Sequence, residues 1–594
     1  MTVTQKLFAL RKLMAERKIA ALVVPSSDPH QSEYVGAHWQ TRQWASGFTG
    51  SAGTLVITPK MAALWTDSRY FLQAEKELQG SGIKLFKSRE PNVPLVNDWI
   101  IAQLKHGQTV AFDGQVISVE SVRDMEKVFA SKKLKLRTRE DLCSQVWTDR
   151  PPRSPAPAMD FPVKYAGVGR VKKLAAVRAK LTEKGADALL LASLDDIAWL
   201  FNIRGGDVEH SPVVMAYALV DKTAAILFVD RSKISEVLRQ TFKKQGVTLR
   251  PYESVGQSLK ALKAGKALCF NPRRVNMHVA EAIPKGVRRI EETVDITTEL
   301  KAVKNPVELL HWNTAALLDG LALVKFFAWL ERAVAAGQRV TEYTAREKLQ
   351  EFRCEAPEYR DDSFTAVCGY QANAAMIHYR GEPDTAALLR PKGLFLVDSG
   401  GNYFEGTMDT TRTVALGLVS GVARRHYTLV LKGLIALSRV CFPAGMTGTH
   451  LDALARLPLW GDGLNYKHGS GHGVGAYLNV HEGPHGFTSA WNASALKPGM
   501  VVTIEPGFYR EGHYGIRIEN LVKVVEAGGT DYGPFLCFET LTLCPIDTAP
   551  LLHDLLTTGE RDWINVYHQT VRTRLRPHLN GHARAWLKRK TATV

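Results

Sequence analysis

Cysteine is scarce in this chain, with seven in 594 residues, at positions 143, 269, 354, 368, 441, 537 and 544. The number is odd, the positions are scattered and no C-x-x-C pair occurs. This argues against a disulfide framework or a thiolate zinc site and fits a reducing compartment. Long apolar runs are missing too. No stretch of about 18 residues is apolar without a charge, so no membrane span or membrane partner is expected. The first residues, Met-Thr-Val-Thr-Gln-Lys, lead into an amphipathic run from Leu7 to Lys18 that carries Arg11, Lys12, Glu16 and Arg17. No apolar core precedes a small-residue cleavage site, so the expectation is no secretory leader and a cytoplasmic location.

Acidic residues are in deficit: Asp plus Glu is 59 against 76 for Lys plus Arg, a formal charge of +17. Such a balance can suit nucleic acid or anionic membranes. Here the charge is spread along the chain, and no nucleic-acid partner is expected. The densest basic stretch, Arg572 to Lys590 with Arg574, Arg576, Arg584, Lys588 and Arg589, reads as a solvated C-terminal helix and tail. Hydrophobic residues at 45% and charged residues at 23% are ordinary for a globular protein. The length suggests two to four domains at roughly 150 residues each.

Proline marks the boundaries. Pro151, Pro152, Pro155 and Pro157 crowd one short stretch, where proline can neither continue a helix nor donate to a central strand. Later, Asn305 is a candidate N-cap, Pro306 takes the first helical position and Glu308 completes a capping box, so a long helix should follow. The expected domains are therefore 1–155, 156–300 and 301–594. The first two read as copies of one α/β unit. Helical periodicity over Leu7 to Lys18 precedes a buried strand with a turn over 20–28, and roughly 165 residues later Val171 to Lys184 precedes the strand 187–195. Ala62-Ala-Leu-Trp-Thr-Asp67 is echoed by Ala225-Ile-Leu-Phe-Val-Asp230.

The chemically suggestive residues lie in the third segment. Asp398 closes the apolar strand 393–398, and Asp409 follows after a glycine-rich stretch that lets the chain fold back. Two close carboxylates repel unless a cation neutralises them. His468 and His472 stand among glycines, which permit a tight loop and close approach to a ligand. His481 and His485 follow in a turn. Glu505 ends the strand 500–504. The run Tyr514 to Val522 reads as one strand on which Arg517 and Glu519 share a face, and charges inside an apolar strand need a partner or a metal. The series Asp398, Asp409, His472, Glu505 and Glu519 supplies four carboxylates and one imidazole. That charge suits two divalent cations, Mn²⁺ first, with Co²⁺ or Zn²⁺ as substitutes. Such a pair polarises a carbonyl and supplies hydroxide at neutral pH, as amide hydrolysis requires.

The wording around these residues resembles the pita-bread metallopeptidases: Leu396-Val-Asp-Ser-Gly, Thr407-Met-Asp-Thr-Thr-Arg, Gly471-His-Gly-Val-Gly, Ile504-Glu-Pro-Gly and Ile516-Arg-Ile-Glu-Asn. Pro25 to Tyr34, Ser46 to Thr54, Trp65 to Phe71, Trp199 to Arg204 and Asp207 to His210 extend the resemblance to the three-domain Xaa-Pro aminopeptidases over nearly the whole chain. The resemblance implies two creatinase-like α/β domains followed by a pita-bread metallopeptidase domain. It also implies removal of an N-terminal residue that precedes proline, by a dinuclear metal centre with a bridging hydroxide. Asp398 would hold one metal, Asp409 and Glu519 would bridge, and His472 and Glu505 would complete the other. His378 and His481 would contact substrate, Glu505 would take part in proton transfer, and Arg517 would orient a bridging carboxylate. His468 and Tyr509 would lie near the substrate. A homodimer is the implied assembly. Methionine aminopeptidases share the catalytic fold, but the two preceding domains argue against that reading. The full ligand set argues against a non-catalytic binding protein or a metal-free creatinase.

Overall fold

The computed structural model describes residues 1–594. The chain forms two compact units, Met1–Val163 with Val168–Glu299, and Lys164–Gly167 with Leu300–Val594.

The first unit holds two six-stranded sheets built on one plan. In the first sheet, Ala21–Pro25 pairs antiparallel with Thr54–Ile57, which pairs antiparallel with Ala62–Thr66, which pairs parallel with Ile83–Lys87. On the other side of Ala21–Pro25, Thr109–Ala111 and then Lys135–Arg137 follow in parallel. The second sheet repeats this order and every strand direction, with Ala188–Leu191 in the central place, Ala216–Asp221, Ala225–Val229 and Val247–Arg250 to one side, and Ala267–Phe270 and Arg288–Glu291 to the other. A chance likeness of two βα pairs would not reproduce six strands in one order. The duplication read from the sequence is a property of the fold. The expected helices form as Val3–Glu16 and Arg170–Glu183.

Both faces of the first sheet are covered. Leu22, Val24 and Leu55 pack with Leu7, Leu10 and Met14 of the first helix. Val23, Val56 and Trp65 pack with Trp99 and Phe129 on the opposite face. A sheet buried on both sides needs uniformly apolar strands rather than alternating ones, which is why Ala21–Pro25 contains no polar residue. Residues 150–158, the proline-rich stretch, carry neither helix nor strand.

The second unit opens as expected. The Asn305 side chain accepts from the backbone N–H of Val307 and Glu308, and the Glu308 carboxylate accepts from the Asn305 N–H, starting the 30-residue helix Pro306–Ala335. By length and composition this helix is apolar enough to cross a bilayer. In this fold its Trp312, Leu323, Phe326, Phe327 and Leu330 are core residues, and its buried Asp319 accepts from Arg353 Nε at 2.9 Å. Around it lie a six-stranded antiparallel sheet, in the order 442–443, 533–540, 520–530, 501–504, 471–473 and 482–487, and a three-stranded sheet of 367–370, 394–399 and 410–415. A hairpin of Gly507–Arg510 with Tyr514–Arg517 completes the region.

Three expectations need correction. The run from Tyr514 to Val522 is not one strand: it splits into Tyr514–Arg517 and Asn520–Thr530. At the break the Glu519 N–H turns to the Thr411 carbonyl at 3.1 Å, so the chain leaves the hairpin and joins the larger sheet. The glycines around His472 do not form a free loop. Gly471–Gly473 is a strand inside the six-stranded sheet, and a Cβ on Gly471 would stand 1.9 Å from the Thr503 carbonyl oxygen. Glycine there admits a neighbouring strand rather than a ligand. The basic C-terminus is not a free tail. Helices Thr558–Leu575 and Gly581–Lys590 are packed, Trp586 and Leu587 are core residues, Trp586 stacks with Phe327, and Trp586 Nε1 donates to Glu331 at 3.0 Å.

Candidate metal centre

Four of the five suggested metal ligands in the second unit leave the backbone where a strand ends or breaks. Asp398 is the penultimate residue of Leu394–Ser399 and lies opposite Thr411. Asp409 sits between Gly406–Thr407 and Thr410–Ala415. Glu505 directly follows Val501–Ile504, and Glu519 occupies the break after Arg517. His472 is the middle residue of its short strand. Strands that stop beside one another converge these residues without a continuous motif.

The convergence is close. Asp409, His472 and Glu519 offer one ligand atom each within 4.8 Å of one another. His472 Nε2 is 3.4 Å from Asp409 Oδ2 and 3.9 Å from Glu505 Oε1. Its Nδ1 faces the Gly473 carbonyl at 3.0 Å. A carbonyl only accepts, so Nδ1 donates to it, and Nε2 is the ring nitrogen turned toward the carboxylates, the atom a metal would take. Asp398 Oδ2 receives Arg517 Nη2 at 2.5 Å, while Asp398 Oδ1 is buried without a hydrogen-bond partner.

Electrostatics gives the same picture. Asp409 and Glu519 are 4% and 2% exposed. Burial, and then Asp398 and Glu505, push the Asp409 carboxyl well above the usual range. Burial, Asp409 and Asp398 do the same to Glu519. Glu505 is pushed up to about 7, first by burial and then by Glu519, with His472 and Arg517 pulling it back. Without cations these carboxylates hold protons that their solvated counterparts would lose. An unpartnered buried carboxylate oxygen, an imidazole nitrogen turned toward the carboxylates and four mutually repelling carboxyls are a donor set that fits divalent cations.

The remaining candidates ring this cluster. The His481 ring lies edge-on to His472, with centroids 4.3 Å apart. Arg517 Nη1 donates to the Tyr509 hydroxyl at 2.7 Å, and that hydroxyl stands 2.9 Å from His468 Nε2. His468 Nδ1 faces the Gly469 carbonyl at 2.7 Å, so it carries the proton and Nε2 accepts from Tyr509. His378 is half-buried just after the turn 371–375, and Arg517 Nη2 reaches the preceding Ile377 carbonyl at 3.5 Å. The direct carboxylate partner of Arg517 is Asp398. Its route to Glu519 runs through Thr411, whose hydroxyl takes Arg517 Nε at 3.2 Å and donates to Glu519 at 2.7 Å. His485 is not part of the cluster: it is fully buried, pushed down to about 4 chiefly by desolvation, and bonded through Nε2 to the Val501 carbonyl at 2.9 Å.

Comparison with known proteins gives the arrangement its family. Residues 6–138 and 149–308 match two models of the creatinase/prolidase N-terminal domain, 312–526 match metallopeptidase family M24, and 534–594 match the C-terminal region of that peptidase family. Aminopeptidase P2 of Arabidopsis thaliana is 39% identical over 99% of this chain and 88% of its own length. A probable Xaa-Pro aminopeptidase P of Laccaria bicolor is 38% identical over 100% of this chain and 94% of its own. An X-prolyl aminopeptidase of Caenorhabditis elegans, described as a cytosolic enzyme with a di-nuclear active site, superimposes over 100% of both chains with a TM-score of 0.96 at 34% identity. This chain belongs to the Xaa-Pro aminopeptidase P family. Its fold is therefore two creatinase-type α/β domains followed by a pita-bread metallopeptidase domain. The basic stretch after Arg572 lies within the family's C-terminal region.

Several residues without a sequence signature of their own shape this cluster. Thr411 holds Glu519, and the Thr503 hydroxyl accepts the His472 N–H at 3.0 Å. Arg412, 1% exposed, donates to the Glu519 carbonyl at 2.5 Å and to the Cys544 carbonyl and Tyr567 hydroxyl, each at 2.8 Å. Thr411 and Arg412 lie in the quoted Asp-Thr-Thr-Arg motif. That adjacency to Asp409 is the only signal the sequence offers for them.

Proposed function

We propose that this chain is a metal-dependent exopeptidase that releases the N-terminal residue from peptides with proline in the second position. The observation that carries this reading is the convergence of Asp398, Asp409, His472, Glu505 and Glu519 in a chain of the aminopeptidase P family. In this reading Asp398, Asp409, Glu505 and Glu519 hold two divalent cations through carboxylate oxygens, with His472 Nε2 as the one nitrogen ligand. Manganese is the preferred ion, because an oxygen-rich set with one imidazole suits it. When bound, the cations supply Lewis acidity toward the scissile carbonyl and lower the pKa of water.

The protein's own groups do the rest. His378 donates to the carbonyl oxygen as it gains charge. His481, edge-on to His472, borders the scissile carbonyl and the proline ring. Glu505 carries a proton toward the leaving nitrogen. Arg517 fixes Asp398 directly and Glu519 through Thr411. His468 and Tyr509 buttress Arg517 on the side facing the substrate. An Xaa-Pro bond is a tertiary amide with no N–H. Selection therefore rests on the fit of the ring, because there is no donor for the enzyme to recognise.

We read the first compact unit as two domains, 1–155 and 156–300, and the catalytic domain as 301–594. In this account the enzyme is cytoplasmic, in line with its cytosolic relative, and works as a homodimer. Hydrolysis of Arg-Pro-Pro compared with Met-Ala-Ser, with Mn²⁺ present, tests the assignment. Release of arginine from the first with the second untouched is the expected result. Preferential release of methionine would replace this function with that of a methionine aminopeptidase.

A further inference from the structure

The six-stranded sheet ends in the short edge strand Phe442–Pro443, which pairs with Gly533–Thr540. The register sets Phe442 opposite Leu536 and Pro443 opposite Phe535. One residue further along each antiparallel strand, Cys441 faces Cys537. The Ala444 N–H donates to the Pro534 carbonyl at 2.9 Å, which marks that pair as hydrogen-bonded. Antiparallel pairs alternate, so 442/536 is hydrogen-bonded and 441/537 is not. Residues facing each other at a non-hydrogen-bonded position have Cα atoms about 4.5 Å apart, within the roughly 4.4–6.8 Å that a disulfide spans.

Side-chain directions agree with this pairing. Phe442 and Leu536 are buried in the core, so their sequence neighbours Cys441 and Cys537 point to the other face. Cys441 is exposed, Cys537 is partly buried, and both are reduced here. The Cys441 thiol is near enough to push the Cys537 thiol up. No part of the metal centre uses either residue.

We propose that Cys441 and Cys537 form a modification site, a reversible cross-strand disulfide made by exchange with a low-molecular-weight disulfide such as oxidised glutathione. The exposed Cys441 thiolate attacks one sulfur of the oxidant, releasing one glutathione thiolate and leaving a mixed disulfide. The Cys537 thiolate then attacks Cys441 Sγ and releases the second glutathione. The oxidant's S–S bond breaks, and one S–S bond forms between the cysteines. The two thiol protons pass to the two glutathiones, so the pair loses two electrons and the oxidant gains two. Burial and the adjacent Cys441 push the Cys537 thiol up, which suits it to the second, intramolecular step, where proximity offsets a low thiolate fraction. The bond would tie the edge strand to the sheet that carries His472, closing a loop of about a hundred residues. Loops of that length gain most from cross-linking in the chain-entropy model.

The test treats fully reduced, metal-loaded protein with a graded series of oxidised glutathione, followed by intact-mass analysis, peptide mapping and urea unfolding. The expected result is loss of two hydrogens from the intact mass, a linked peptide joining 441 to 537, and a higher urea midpoint that dithiothreitol reverses. Cys441→Ser should abolish all three changes and leave Xaa-Pro hydrolysis as before. Three results would each overturn the proposal: a stable glutathione adduct on Cys441 with no internal link, modification of the other exposed thiol, Cys354, before any link forms, or an unchanged mass.

Discussion

Asp409 is a carboxylate that folding has withdrawn from water and set against others of its kind, an arrangement stable only with protons or cations in attendance. Replacing it with Asn keeps the shape and removes the charge. Asp409→Asn is therefore expected to fold normally, to bind fewer divalent ions and to lose Xaa-Pro turnover. Metal analysis alongside a peptidase assay checks this, and full activity at reduced metal content would contradict it. The Thr411 side chain touches the Glu519 carboxylate through one hydroxyl bond at 2.7 Å. Groups that orient metal ligands typically contribute about 10- to 100-fold. Thr411→Val should lower turnover by about that factor with the circular dichroism spectrum unchanged. The five proposed ligands were legible in the sequence because each is a charged or imidazole side chain at a strand end or among glycines. Thr411, and the pairing of Arg517 with Asp398, were not legible. They depend on which strands lie side by side, and a hydroxyl in a strand has no distinctive pattern of its own.

At the scale of elements, the segment carrying His378 is held by one carboxylate. Glu342, at the start of helix Glu342–Cys354, accepts from the Tyr370 N–H at 2.6 Å, the Ala387 N–H at 2.6 Å and the Tyr379 hydroxyl at 2.7 Å, with Asn373 Nδ2 beside them at 3.0 Å. Both its oxygens face backbone N–H groups, so an amide would set donor against donor. Glu342→Gln is expected to displace this segment and lower kcat/KM by about a hundredfold, the cost of misplacing a reacting group by roughly 1 Å. Metal content should stay unchanged, which separates this effect from loss of the centre. The element boundaries legible beforehand were those with local causes, such as the Asn305 and Pro306 helix start. The break at Ile518–Glu519 has a tertiary cause, the turn of the Glu519 N–H to Thr411. No periodicity in one segment reports a hydrogen bond to another. The glycines at 471 and 473 were visible, but their reason was a neighbouring strand, which sequence spacing does not identify.

At the scale of the whole molecule, protons and cations compete for one cluster. Glu505 is pushed up to about 7 without metal, above the ordinary glutamate value. A carboxyl with a raised folded-state pKa binds more protons folded than unfolded. Its contribution to stability is greatest at acid pH and is lost as pH rises through about 7. His485 and His568, both pushed down to about 4 by burial, act oppositely. They favour the fold above about 6.5 and cost stability as pH falls toward 4, whether or not metal is bound. The difference between metal-loaded and metal-free protein isolates the carboxylates. The rise in Tm on adding Mn²⁺ should grow as pH is raised from about 5 to 7, and scanning calorimetry of both forms across that range would show it. A gain independent of pH would place the ions elsewhere.

The most direct measurement is a titration of chelator-stripped protein with Mn²⁺, following bound metal and Arg-Pro-Pro hydrolysis in the same samples. The account predicts negligible hydrolysis without metal and activity that rises until two ions are bound per chain. Full hydrolysis by metal-free protein, or activity unrelated to bound metal, would contradict it.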